Sequence, residues 1–286
     1  MAAFACGCST VKRVLTVDKD YLTTEAIDSL YHPRALLETR YYACSAIPGP
    51  SQRRMMVYLP DNYSSDSDGY PVLYLIHGAR GNETSWIKDG GLIAMLDSLR
   101  AQGECSEFIV VMPNMNQYDD DSDYGQSRFK KPLESFFEID GAVESSFVSD
   151  VVQFVESNYR VCSDKSHRAI AGLSVGALQS IYISAAYPDM FDYIGLFSPL
   201  WQPWPHYGAY SDFYRKLRER QLEQFKDSPK IYSLTVGTMD PLFGHVEDYR
   251  YYLNKNNFRY QYEESKGGHN WENWSKYLET FVKIIF

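Results

Sequence analysis

The feature that most constrains the fold is an alternation. Short continuous apolar runs, "VLYLIHG" (72–78), "EFIVVMP" (107–113), "RAIAGL" (168–173), "YIGLFS" (193–198) and "KIYSLTVG" (230–237), are separated by segments of helical spacing. A strand that is apolar at every position is buried on both faces, as in a parallel sheet covered by helices. The intervening segments supply those helices: 91–103, which closes on Gly103, 144–160, 174–187, 211–225, 246–256 and the terminal 271–286. "RRMMVYLP" (53–60) adds an early strand and "FRYQYEE" (258–264) a late one. The expected class is therefore α/β, a mostly parallel central sheet with helices on both faces. No repeat or linker divides the chain. It reads as one domain over 31–286, preceded by a tail over 1–30.

Charge narrows the function. The 286 residues carry 28 Lys and Arg against 37 Asp and Glu, a net charge of −9. An acidic chain without a basic cluster is a poor partner for nucleic acid, so none is expected. No run approaches the ~20 apolar residues of a membrane-spanning helix. The start, "MAAFACGCST", resembles the end of a secretory signal running into the cleavage box of a bacterial lipoprotein. On that reading Cys8 is lipidated and the protein is an exported periplasmic or outer-membrane lipoprotein of a bacterium; the alternative is an ordinary flexible N-terminus. Beyond Cys6 and Cys8, the cysteines are Cys44, Cys105 and Cys162, whose spacing matches no metal box. They are expected as free thiols or one disulfide with a thiol to spare. The Asp-rich stretch 116–131 lacks the ordered ligand spacing of a calcium loop and reads as solvated.

Chemistry enters at "AIAGLSVGALQS" (169–180), which holds Gly172-Leu173-Ser174-Val175-Gly176. A G-x-S-x-G pattern alone is weak. Here a strand precedes it and a helix follows, as a nucleophile elbow requires. A serine hydroxyl needs a base, and the base an orienting acid. His269, in "KGGHNWENW" between the last strand and the last helix, is the candidate base. His245 is the alternative and is expected in the same loop as Asp240. Asp240 follows "KIYSLTVG" at the carboxyl end of its strand and is the candidate acid; otherwise it is an Asp-Pro turn residue. Asp192 precedes its strand, and Glu247 and Asp248 fall in the next helix. The backbone N–H groups of Val175 and of Ala79, in "LIHGARGNETSW", are the candidate oxyanion donors. His77 is expected to be structural.

At these residues the sequence resembles the esterase branch of the α/β-hydrolases, which includes feruloyl, acetyl-xylan and enterochelin esterases, S-formylglutathione hydrolases and mycolyltransferases. The likeness runs from about Arg53 to Phe286 on "RRMMVYLP", "YPVLYLIHGARGNETSW", "RAIAGLSVGA", "VGTMD" and "GGHNWENW". Two departures affect pocket shape: Ala79 stands where relatives often have Gly, and Val175-Gly176-Ala177 where they have Met-Gly-Gly. The resemblance implies a Ser174–His269–Asp240 triad, oxyanion donors at Ala79 and Val175, and no metal or organic cofactor. It implies hydrolysis of feruloyl or acetyl esters of polysaccharides or small molecules. An acyltransferase on the same triad and a non-catalytic carbohydrate-binding relative stand as alternatives. In "PLWQPWPHYGAY" (199–210), Trp201 and Trp204 are candidates to stack on a sugar or aromatic acyl group, or else to pack a lid.

Overall fold

A computed structural model describes residues 36–46, 52–61, 63, 68–116, 139–202 and 208–286, with side chains in the last segment from 212 onward. The tail, Cys6, Cys8, residues 117–131 of the Asp-rich stretch and Trp204 lie outside the described residues.

Among the described residues, eight strands form one sheet in the order β1-β2-β4-β3-β5-β6-β7-β8. They are β1 Leu36–Ala43, β2 Gln52–Leu59, β3 Val72–Ile76, β4 Ile109–Pro113, β5 Arg168–Leu173, β6 Tyr193–Phe197, β7 Ile231–Gly237 and β8 Gln261–Ser265. β1 pairs antiparallel with β2, and β2 antiparallel with β4. From β4 onward every pairing is parallel.

The apolar runs work as expected because alternate side chains serve opposite faces. Val72, Tyr74 and Ile76 enter one core with Ile170, Ile194 and Leu196. Leu73 and Leu75 enter the other with Ala169, Ala171 and Phe197. The second face is covered by α1 Ser85–Lys88, α2 Leu92–Gln102 and α8 Trp271–Ile285. The first is covered by α3 Ala142–Phe147, α4 Gln153–Asn158, α5 Val175–Ala186, α6 Gly208–Gln224 and α7 Phe243–Lys255.

Three elements depart from expectation. β1 was not anticipated as a strand. It is an edge strand of mixed sequence, LLETRYYA, with no apolar run to announce it, and pairing with β2 holds it in place. The helix expected over 144–160 is interrupted by a π-helical turn, Val148–Val152, between α3 and α4. The wider turn brings the neighbours Val151 and Val152 both inward, each 1% exposed. β8 starts three residues later than "FRYQYEE" suggests, since its exposed edge carries little apolar signal.

Sheet order positions the site. β3 has β4 on one side and β5 on the other, so the connections leaving β3 and β5 diverge at their carboxyl ends. That divergence opens a crevice, the usual ligand position in open α/β sheets.

Candidate active site

The site is built on the chain reversal between β5 and α5. Ser174 sits at φ 55° and ψ −116°, in the positive-φ half of conformational space that non-glycine residues avoid. Its neighbours hold it there. Its N–H donates to Phe197 O at 2.9 Å, and its carbonyl accepts from Leu200 N–H at 3.2 Å. A Cβ at Gly176 would lie 2.2 Å from the His77 carbonyl oxygen, so only glycine lets the start of α5 approach the end of β3.

The structure brings Ser174, His269 and Asp240 together. His269 Nε2 lies 3.1 Å from Ser174 Oγ. His269 Nδ1 lies 3.0 Å from each oxygen of Asp240. The imidazole is further fixed edge-on against Trp274, with ring centroids 4.7 Å apart at 90°. Asp240 is 4% exposed and accepts from the Leu242 N–H at 2.8 Å. Burial pushes its carboxyl up. Hydrogen bonds from His269, the Leu242 N–H and the Ser198 hydroxyl, with the attraction of His269, outweigh this and hold it below the usual aspartate value.

Ser198 was not singled out in the sequence. It is fully buried at φ 48°, one residue beyond β6, and its Oγ accepts from Trp274 Nε1 at 3.2 Å. It thus couples α8 to Asp240. A serine closing an apolar strand gives no local sign of this, because the three groups meet only in the folded sheet.

The Gly78–Gly81 segment faces Ser174 from the end of β3. It is a tight turn closed by Gly81 N–H to Gly78 O at 3.0 Å. His77 anchors it. Its Nδ1 donates to Gly78 O at 2.8 Å and its Nε2 accepts the Met115 N–H at 3.1 Å. These roles specify the neutral Nδ1–H tautomer, a structural histidine. Asn116 Nδ2 donates to Gly81 O at 3.1 Å and to Asn114 Oδ1 at 3.0 Å. Asn114 Nδ2 in turn donates to buried Glu83 at 3.2 Å, which also meets Arg54 at 3.2 Å. Burial raises the Glu83 carboxyl above its usual value. Ala79 lies in this turn and borders the cavity. Val175 is the first residue of α5, where a helix leaves its N–H without an intrahelical partner.

A cavity of about 460 Å³ opens over Ser174 and His269, bordered by the Gly78–Gly81 turn, Leu173, Leu200, Leu242, Trp271 and Trp274. The aromatic wall therefore comes from α8. Trp201, a candidate to stack on substrate or else to pack a lid, does not border the cavity. It is 2% exposed, packs 4.3 Å from Tyr249 and 5.7 Å from Tyr252, and its carbonyl meets His245 Nδ1 at 2.6 Å. Its apolar area is satisfied in the core under α7. His245 is likewise corrected: it lies in the first turn of α7, not in the Asp240 loop. Among the described residues no cluster of His, Cys, Asp or Glu could hold a metal, and Cys44, Cys105 and Cys162 are free thiols.

A family model described as "Putative esterase" matches residues 47–283. The chain belongs to this esterase family. The endo-1,4-beta-xylanase/feruloyl esterase of Xylanibacter ruminicola is 36% identical over 146 residues, 50% of this chain and 19% of the relative. The acetyl esterase of Caldicellulosiruptor saccharolyticus is 25% identical over 239 residues, 74% of this chain and 82% of that one. A ferulic acid esterase from Anaeromyces mucronatus, solved with ferulic acid, superposes with a TM-score of 0.67 at 21% identity, covering 93% of this chain and 94% of that one. The fold is that of the α/β-hydrolases. The chain spans only about a fifth of the bifunctional xylanase relative, 19%.

Proposed function

We propose that this chain is a serine carboxylic-ester hydrolase working through an acyl-enzyme. The observation that carries the reading is the unbroken relay from Ser174 Oγ to His269 Nε2 at 3.1 Å and from His269 Nδ1 to Asp240 at 3.0 Å. Ser174 Oγ attacks the ester carbonyl as its proton passes to His269 Nε2. Asp240, held ionised, fixes the Nδ1–H tautomer and stabilises the imidazolium. The carbonyl oxygen takes up the negative charge between the N–H groups of Ala79 and Val175. Collapse breaks the ester C–O bond, and the imidazolium proton goes to the departing alcohol oxygen. Water then attacks the acyl-Ser174 ester by the same steps in reverse, giving the acid and the free serine.

The proposed substrates are acetyl or aromatic acyl esters on polysaccharides. Two supports favour this class: relatives named as feruloyl and acetyl esterases, and the Trp271 and Trp274 wall beside Ser174, which suits a planar acyl group or a sugar face. An exported, Cys8-anchored location belongs to the same reading and rests on Ala5-Cys6-Gly7-Cys8-Ser9.

The test is turnover of 4-nitrophenyl acetate and of methyl ferulate by the wild type and by Ser174→Ala. Hydrolysis by the wild type, lost in the variant, is expected. Equal rates for the two proteins would overturn the serine mechanism.

A further inference from the structure

We infer that Arg80 makes this site selective for esters that carry a carboxylate close to the scissile bond. The inference rests on the proposed esterase reading and adds a substrate class to it.

Arg80 occupies the third position of the Gly78–Gly81 turn at φ 59°. Glycine fits that backbone without strain, whereas a side chain there costs free energy. The side chain borders the cavity that contains Ser174 and His269. Its Nε is buried and meets no hydrogen-bond acceptor among the described residues. A desolvated, unsatisfied guanidinium N–H is a second cost at the same position. Among the described residues no hydrogen bond to Nε offsets them. A carboxylate held in the cavity would offset the second once the side chain turns its buried Nε toward it.

The surroundings indicate which ligand. Leu173, Leu200, Leu242, Trp271 and Trp274 are apolar neighbours across the cavity. Low polarity strengthens a charged pair once water leaves. Among the described residues the one other Asp, Glu, Lys or Arg bordering the cavity is Asp89, an exposed residue with contacts of its own. Nε and one Nη of a guanidinium form a planar two-donor edge that matches the two oxygens of a carboxylate. A net charge of −9 would otherwise repel an acidic substrate, so a local cation is needed to admit one. A uronate beside the esterified hydroxyl, or a dicarboxylic half-ester, has the required chemistry.

The experiment compares paired esters that differ only in a carboxylate. On the alcohol side the pair is 4-acetoxybenzoate and its methyl ester. On the acyl side it is mono-4-nitrophenyl glutarate and its methyl ester. Wild type, Arg80→Gly and Arg80→Lys are assayed; glycine removes the cation while suiting the turn. The readout is the ratio of kcat/KM for the acidic ester to that for its neutral partner, which cancels any general effect on the turn. At least one pair should show this ratio falling by about 10-fold or more in Arg80→Gly, mainly through KM, with partial recovery in Arg80→Lys. Ratios unchanged within about twofold on both pairs would overturn the inference, as would equal losses on acidic and neutral esters, which would mark a general catalytic effect. If the wild type hydrolyses none of the four esters, the esterase reading fails by itself. Calorimetric binding of 4-acetoxybenzoate to Ser174→Ala still tests Arg80 in that event. Adding Arg80→Gly should weaken that binding by about 10-fold or more, and equal affinity would overturn the inference.

Discussion

Ser174 is held at φ 55° because the hydroxyl must clear the sheet edge while the next residue starts a helix. Backbone strain of this kind is worth about 1–3 kcal/mol. Alanine shares serine's aversion to that conformation and glycine does not. Ser174→Gly should therefore be more stable than Ser174→Ala by about 1 kcal/mol, read as a difference in denaturation midpoint, while neither hydrolyses esters. Asp240 gives a second expectation. Asp240→Asn keeps the shape but offers the wrong hydrogen-bond pattern to His269 Nδ1, and kcat should fall by up to ~10⁴. The Asp240 carboxyl is held below its usual value, so its contribution to stability is present above the unfolded-state value and is lost as pH falls through the folded-state value. The stability gap between wild type and Asp240→Asn should therefore shrink as pH falls below the ordinary aspartate range. A gap that stays constant in acid would contradict the assignment. Ser198→Ala removes one donor to Asp240 and one acceptor for Trp274. At a net worth of about 1 kcal/mol for a hydrogen bond, kcat should drop roughly 5-fold with KM little changed.

Parallel strands place all their carboxyl ends on one edge, and that alone gathers the turn after β3, the elbow after β5, Ser198 after β6, Asp240 after β7 and His269 after β8. Much of this is legible in sequence because it is local. "RAIAGLSVGALQS" contains its own strand, turn and helix, and "VGTMD" and "GGHNW" each end an apolar or strand-like run. What was not legible depends on contacts between distant elements. Ser198 matters through Trp274, 76 residues away, and Asp240. Trp271 and Trp274 face the site because α8 packs with them inward, whereas Trp201, a candidate to stack on substrate or to pack a lid, lies against α7. β1 carried no pattern at all and is a strand because β2 offers it an edge. The elements also constrain one another. Gly176→Ala would put a Cβ 2.2 Å from the His77 carbonyl oxygen and force α5 away from β3. We expect a loss on the order of 2–3 kcal/mol in stability by chemical denaturation, with activity falling further because Val175 and Ala79 move apart. A variant as stable and as active as wild type would show that the close packing is not needed.

Among the described residues, one sheet divides two cores and presents an apolar crevice with a serine at its floor. Nothing in that architecture distinguishes an esterase from a binding protein that kept the same shape. The distinction lies in whether Ser174 is a nucleophile. The direct measurement is labelling with an organic fluorophosphonate, which transfers a phosphonyl group to an activated serine and releases fluoride. Intact-protein mass spectrometry should find one phosphonyl group per chain, and peptide mapping should place it on Ser174. The labelling rate should fall in Asp240→Asn and in a His269→Ala variant in step with ester hydrolysis. Absence of an adduct, or an adduct on another residue that abolishes hydrolysis equally, would contradict the account.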